Sequence, residues 1–229
     1  MAISTKHAQR KKDLPITGLM ATWYDRNTRT SRLAEMKGYA DFVSSTCSQG
    51  GKVLEVAPGP GYLSIELAQR GFDVTGVELS ADFVGIEKRN AAEAGIHVDF
   101  KQGNASDLPL PNNYFDFIIC SAAFKNFKDP AKAISEMFRV LKTGGTALIL
   151  DMNHDSTDAE IEAEIQKMNM KGFDRWFVKL SFKTFLRKGA YTIEGFEALI
   201  TETDFARYEI KKSGIGLEVW LFKESGSLE

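Results

Sequence analysis

Between Val53 and Ala68 an apolar run carrying one acid breaks into a turn of alternating prolines and glycines, then opens a helical pattern. The residues are Val53-Leu54-Glu55-Val56-Ala57-Pro58-Gly59-Pro60-Gly61-Tyr62, followed by Leu63-Ser64-Ile65-Glu66-Leu67-Ala68. This is the strand–loop–helix unit with which α/β proteins hold an adenosine-containing cofactor. Gly59 and Gly61 have no Cβ, so the loop can turn sharply and a ligand can rest against its backbone. Pro58 and Pro60 stiffen the turn. The third glycine of a G-x-G-x-x-G fingerprint would fall at position 64, which is Ser64. The plainer reading is a strand-to-helix turn with no ligand, but such a turn needs neither this acid nor both glycines.

Glu55 separates two cofactor classes. A dinucleotide site turns loop amides and a helix N-terminus toward a pyrophosphate, and a carboxylate just before that loop would repel it. S-adenosylmethionine has no phosphate. It carries a sulfonium and an α-ammonium, and Glu55 can meet that positive charge directly or through water.

Around this unit, apolar runs and helical patterns alternate. Strands are expected at Lys52–Ala57, Asp73–Glu78, His97–Gln102, Phe115–Ser121 and Thr146–Asp151. Helices are expected at Tyr62–Arg70, from Ser80 as N-cap to about Gly95, and at Pro130–Leu141, where Pro130 suits a first turn. Phe115–Ser121 is almost wholly apolar, as a central strand covered on both faces is. Gly144-Gly145 stops the last of these helices. The alternation predicts a doubly wound, Rossmann-like sheet. Phe205–Ile210 and Leu217–Phe222 read as strands joined through Lys211-Lys212-Ser213-Gly214. They add an antiparallel C-terminal hairpin, for seven strands in all. Ser31–Ser48 and Thr192–Thr201 read as helices. Residues 156–188 read as helical and aromatic-rich, a lid insert placed at about 156–190. The division is then an arm and capping segment over 1–30, one α/β domain over 31–223 and a tail over 224–229.

Composition sets outer bounds. A chain of 229 residues with 43% hydrophobic and 26% charged side chains can bury one sizeable core. The net charge of −2 gives no reason to expect nucleic-acid binding. Cys47 and Cys120 form no metal-ligand pattern, and no metal site is expected; two distant cysteines suit a reducing cytoplasm. No apolar run reaches the ~20 residues of a membrane span. Lys6, Arg10, Lys11 and Lys12 read as a basic arm, and a homodimer is compatible with all of this.

Five segments in order resemble the class I S-adenosylmethionine-dependent methyltransferases, in particular the ubiquinone/menaquinone-biosynthesis C-methyltransferase group. They are Glu55-Val56-Ala57-Pro58-Gly59-Pro60-Gly61, Val77-Glu78-Leu79-Ser80, Gly103-Asn104-Ala105 with Leu108-Pro109, Phe115-Asp116-Phe117-Ile118, and Arg139-Val140-Leu141-Lys142-Thr143-Gly144-Gly145. The resemblance implies methyl transfer, S-adenosyl-L-methionine as cofactor and S-adenosyl-L-homocysteine as product, with the cofactor over the C-terminal edge of the first four strands. Carried over residue by residue, it assigns Glu55, Val56, Ala57, Gly59, Gly61 and Tyr62 to the loop. Glu78 goes to the ribose hydroxyls, Leu79 to their flank, Asn104 and Ala105 to the adenine edge, and Ser121 and Ala122 to the methionine portion. Tyr24 closes that portion from the N-terminal segment. The chain departs from the family pattern at Ala57, where a glycine is usual, at Asn104, where an aspartate is usual, and at Thr143, where a proline is usual.

Methyl transfer from a sulfonium is an in-line displacement, in which the protein supplies alignment and, where needed, a base. Candidates for work on the acceptor are Asn126, in a segment resembling the Arg-Asn-Val stretch of quinone methyltransferases, Tyr24, and His154. A histidine titrates near neutrality and can take a proton. Asp151 and Asp155 flank it, as orienting groups or helix caps. Plainer readings are a loop-capping asparagine, a packed tyrosine and a surface histidine. The expected activity is methylation of a small-molecule acceptor. The alternatives are a quinone-ring C-methyltransferase, although no clear amphipathic membrane-docking helix appears in the sequence, or a cofactor-binding protein without catalysis. A nicotinamide-dependent oxidoreductase is disfavoured by Glu55 and Ser64.

Overall fold

A computed structural model describes residues 15–167, 179–180, 182 and 186–224. Seven strands form one sheet in the order β3-β2-β1-β4-β5-β7-β6. They are β1 (Lys52–Val56), β2 (Asp73–Glu78), β3 (Asp99–Gln102), β4 (Phe115–Ser121), β5 (Leu141–Met152), β6 (Arg207–Ser213) and β7 (Gly216–Phe222). The first five run parallel, and β7 and β6 are antiparallel to their neighbours. The expected class, a doubly wound and mostly parallel sheet with an antiparallel hairpin, is the observed one.

Burial explains the parallel part. β4 is apolar but for Asp116 and Ser121, β1 carries Val53, Leu54 and Val56, and in both strands side chains on both faces are covered. On one face Val53, Phe117 and Ile119 pack with Met36 and Val43 of α2 (Leu33–Thr46), Leu63 and Leu67 of α3 (Tyr62–Gln69) and Val84 of α4 (Ala81–Glu93). On the other, Leu54, Val56, Ile118 and Cys120 pack with Ile134 and Met137 of α5 (Pro130–Val140). Residues two apart share a face, as a pleated strand requires. Phe115 breaks this parity and joins Ile118, because the β4–β5 register shifts between Phe115 and Phe117. At the far edge, β6 leaves Lys211 and Lys212 exposed, which discourages pairing with another chain. Those lysines lie inside the strand, and the turn comes later, at Gly214-Ile215, than the sequence places it.

The N-terminal part is more regular than its sequence suggests. The aromatic segment around Trp23 is a helix, α1 (Gly18–Ser31), which meets α2 at Arg32. α1 packs Ala21 and Tyr24 against Phe83 and Ile86 of α4. Three other polar contacts tie it down. Ser80 Oγ donates to the Ile16 carbonyl at 2.5 Å, Gly18 N–H donates to Asp82 at 2.7 Å, and Tyr62 donates to Asp25 at 2.7 Å. Ser80 also caps α4, as expected, and Pro130 opens α5.

Of the lid insert, α6 (Asp158–Lys167) packs Ile161 and Ile165 against Met152 and Ala190. Residues 168–178 of that insert and the basic residues of the arm lie outside the described residues. After a single helical turn at Arg187–Gly189 comes α7 (Ile193–Ile200), capped by the Thr192 hydroxyl and covering the β7 side of the sheet.

Candidate functional site

Strand order reverses between β1 and β4: the chain runs outward through β2 and β3, then returns to place β4 beside β1. In open α/β sheets the crevice at such a point, beyond the carboxyl ends of the strands, is where ligands bind. Both strands here end in strained backbone. Ala57, just after β1, has φ 57°, and Ala122, just after β4, has φ 57°. An L-residue with a Cβ adopts this left-handed region at a cost of about 1–2 kcal/mol. Two such residues at one switch point, each following a buried strand, are the pattern expected where backbone geometry serves a site. Both are held by hydrogen bonds, from Ala57 N–H to the Val77 carbonyl at 2.8 Å and from Ala122 N–H to the Leu150 carbonyl at 2.7 Å.

The loop from Ala57 to Gly61 is cradled from three sides. Gly59 and Gly61 both have positive φ, 61° and 81°. At Gly61 a Cβ would lie 3.0 Å from Phe100 and 3.1 Å from the Glu87 Cγ, so this position is closed to side chains. At Gly59 the space is open except for Tyr24, whose ring lies 3.8 Å from where a Cβ would stand. Tyr24 thus reaches the loop from α1. Its ring meets Phe83 edge-on, and its hydroxyl accepts from Arg32 at 3.4 Å.

Three buried acids surround this loop. Glu55, on β1, accepts a hydrogen bond from the Ser64 hydroxyl at 2.5 Å. Burial pushes its carboxyl up to about 7, against the lowering effect of Ser64. Glu78, at the end of β2, accepts from Gly59 N–H at 3.2 Å and Ser80 N–H at 2.9 Å. Burial also raises this carboxyl, while those backbone N–H groups hold it down. Glu87, on α4, is fully buried, and neither of its oxygens has a hydrogen-bond partner. Burial, reinforced by the charges of Glu78 and Glu55, pushes it up to about 10.

A cleft beside the loop is lined by Val56, Ala57, Val77, Leu79, Gly103, Asn104, Ala105 and Phe127. Val56, Ala57, Leu79, Asn104 and Ala105 were all singled out in the sequence, and the fold brings them to this one wall. Asn104 accepts from Ser106 N–H at 2.9 Å, which orients its amide. Ser121 is buried at the end of β4. Tyr62 stands differently from the rest. Its hydroxyl donates to Asp25 and accepts from Arg29 Nε at 2.7 Å, so it ties α1 to α3. Asn90 adds to this latch by donating to Asp25 at 3.0 Å and to the Pro60 carbonyl at 2.9 Å.

On the β4–β5 side, Lys125 and Asp151 form a buried ion pair at 2.9 Å. Lys125 Nζ also donates to the Ala122 carbonyl at 2.6 Å, and Asp151 accepts from Lys125 N–H and Met152 N–H. Asp151 is therefore directed at Lys125, while His154 lies 3.0 Å from Asp155. His154 is half exposed, and Asn126 is exposed in a short 3-10 turn, Phe124–Asn126.

Ser64, Glu87, Asp25 and Asn90 are the residues of this region that sequence reading did not assign. Ser64 was visible as the missing third glycine. The others sit on helices at ordinary core spacing and carry no local signal.

Comparison with known proteins follows this geometry. Residues 54–149 match the family described as "Methyltransferase domain". The demethylmenaquinone methyltransferase of Thermus thermophilus is 34% identical over 102 residues, 44% of this chain and 46% of that protein. An uncharacterized methyltransferase of Bacillus subtilis, YcgJ, is 24% identical over 194 residues, 73% of this chain and 77% of that protein. Against the first relatives matched, the chain spans about half of their length. A SAM-dependent methyltransferase from Aquifex aeolicus superposes with a TM-score of 0.68 at 18% identity, over 88% of this chain and 97% of that one. The plantazolicin methyltransferase BpumL, solved with a monoazolic desmethylPZN analog and SAH, superposes with a TM-score of 0.66 at 15% identity, over 90% of this chain and 89% of that one. The solved structures establish a shared fold.

Proposed function

Taking as premise that residues 54–149 form a methyltransferase domain, we propose that this chain binds S-adenosyl-L-methionine at the β1–β4 switch point and transfers its methyl group to a small-molecule acceptor. The observation that carries this reading is the loop itself. Two positive-φ glycines, one open to a ligand, have Glu55, Glu78 and Glu87 buried around them, and the basic group that reaches Glu55 and Tyr24, Arg32, is itself paired with Glu35 at 2.7 Å. Such a loop suits a cationic ligand and repels a pyrophosphate.

The residues fit the cofactor. Glu78 faces the loop, where its carboxyl, beyond its backbone contacts to Gly59, Leu79 and Ser80, would accept from the ribose hydroxyls. Leu79, Asn104 and Ala105 form the wall for adenine. Ser121 and the strained Ala122 pass beneath the methionine portion, with Tyr24 closing from above. When bound, the cofactor supplies the electrophilic methyl group. This chain's own part is alignment and exclusion of water. Tyr24 and α1 cover the loop, and the Lys125–Asp151 pair fixes the backbone that carries Ala122 and Asn126. Our candidate to accept a proton, where the acceptor has one to lose, is His154, which is exposed beside Asp155.

A quinone-ring acceptor is the second reading. Its support is the likeness to proteins named demethylmenaquinone methyltransferase and UbiE. A further observation favours it. α1 exposes Leu19, Met20 and Trp23, an apolar face that the sequence pattern did not reveal. Among the described residues no helix is long and apolar enough to cross a membrane. A water-soluble short-chain demethylquinone and a panel of phenols, amines and thiols, each incubated with methyl-labelled cofactor, test the proposal. Label transferred to one class by the wild-type chain, and lost in Glu78→Ala, is expected. Binding without transfer to any acceptor would favour a non-catalytic cofactor-binding role.

A further inference from the structure

The unpartnered carboxyl of Glu87 has no task in the account so far. It sits on α4 with 0% of its surface exposed, and its methylenes run against Gly61 from beneath the loop. One turn on, Asn90 grips the Pro60 carbonyl, so α4 turns two successive polar side chains toward one loop. A buried polar group without a partner weakens the fold, and an alanine or leucine would fill this helix face more easily. The charged groups around it are Glu55 from β1, Glu78 from β2, Lys88 on α4 itself, and Arg32 from the α1–α2 junction, which acts on Glu55. From β3 the packed group is the uncharged Phe100.

We propose that Glu87 is a charge-selectivity residue of this site: its carboxyl holds a proton until a cation binds above Glu55 and Glu78, and then releases that proton to solvent. The inference rests on the functional reading given above. Like charges gathered around one small loop disfavour one another, Glu55 and Glu78 both act on Glu87, and the cation that reaches Glu55, Arg32, is already paired with Glu35. Burial and the two neighbouring acids already favour the neutral form of Glu87. A positive ligand reverses the balance. A product that has lost its positive charge with its methyl group does not, so the site takes the proton back from solvent. By linkage, affinity for the cationic form rises with pH more steeply than affinity for the neutral form. The device favours entry of the charged cofactor and exit of the neutral product.

Calorimetric titrations of the full chain with S-adenosyl-L-methionine and S-adenosyl-L-homocysteine, in two buffers of different ionisation enthalpy, count the protons released. At a pH of about 8.5 Glu55 is already ionised, so the excess reports Glu87. Wild type should release more protons with the cation than with the thioether. Glu87→Gln should remove that excess and lower the preference for the cation about threefold to tenfold. The ligands' own ammonium groups titrate alike in both proteins. Glu87→Met, which removes the unpartnered oxygens, should melt higher than wild type and also lack the excess, and it decides the matter where the Gln variant folds poorly. The same excess in wild type and variants overturns the inference. Equal proton release with both ligands in wild type overturns it alone. Absence of binding by either ligand overturns it together with the methyltransferase reading.

Discussion

Ser64 donates its hydroxyl to Glu55 across 2.5 Å, inside the sheet–helix interface directly below the glycine loop. The position that would hold a third glycine in a dinucleotide fingerprint instead secures the acid that makes the loop suited to a cation. Helix α3 and strand β1 are thereby joined by a polar contact in an otherwise apolar layer.

Ser64→Ala should destabilise the protein by about 1.5–3 kcal/mol at pH values above Glu55's titration, because the hydroxyl serves a buried charge there. The loss should be smaller near pH 5, where the carboxyl is protonated. Urea unfolding at the two pH values measures the difference. Equal losses would show that the hydroxyl does not depend on the carboxyl's charge.

Glu55 also makes stability depend on pH. Its folded value of about 7 lies above the ordinary 4.5, so the native state keeps a proton that the unfolded chain loses. Its contribution is full below about pH 4.5 and declines as pH rises to about 7, by roughly 3 kcal/mol in all. Glu55→Gln should remove this decline. Denaturant midpoints from pH 4 to 8, compared for wild type and variant, should diverge, and parallel curves would refute the assignment.

The Lys125–Asp151 pair is buried on both sides. Lys125→Met alone leaves an unpaired buried carboxylate and should cost about 3–5 kcal/mol, whereas Lys125→Met with Asp151→Leu should recover much of that. Chemical denaturation of the single and double variants gives the coupling. Additive losses would mean that the two groups act independently.

Backbone strain separates the loop positions. Ala57→Gly relieves a left-handed residue and should raise stability by up to about 1 kcal/mol, offset partly by unfolded-chain entropy. Gly61→Ala meets Phe100 and Glu87 and should be destabilising by more than that. Thermal unfolding of both variants gives the signs, and a stable Gly61→Ala protein would contradict the packing described.

The α1 latch is testable by hydrogen exchange. Tyr62→Phe removes the contacts to Asp25 and Arg29 and should speed exchange in α1 while leaving β1 and β4 protected. Uniform loss of protection would show that the latch supports the whole domain.

The strand runs of β1, β2 and β4, the cap at Ser80 and the glycine loop were all legible in the sequence, because each depends on neighbours within a few residues. The boundaries of β2 and β4 agree with the structure to the residue. α1 was not legible as a helix. Its buried face is narrow, its outer face carries Leu19, Met20 and Trp23, and no strong amphipathic pattern remains. The lysines of β6 read as turn residues because an exposed edge strand shares its composition with a loop. Glu87 and the Lys125–Asp151 pair were hidden for a different reason. A charged residue on a helix or near a strand end is usually solvated, and only the tertiary packing of α4 and of the Phe124–Asn126 turn buries them.

The most direct test of the central claim is calorimetric titration of the wild-type chain and Glu78→Ala with S-adenosyl-L-methionine and with NAD. Micromolar binding of the first, none of the second, and a loss of roughly 1.5–3 kcal/mol in the variant are predicted from the charged hydrogen bonds Glu78 would make. Binding of NAD with no affinity for S-adenosyl-L-methionine would contradict the account.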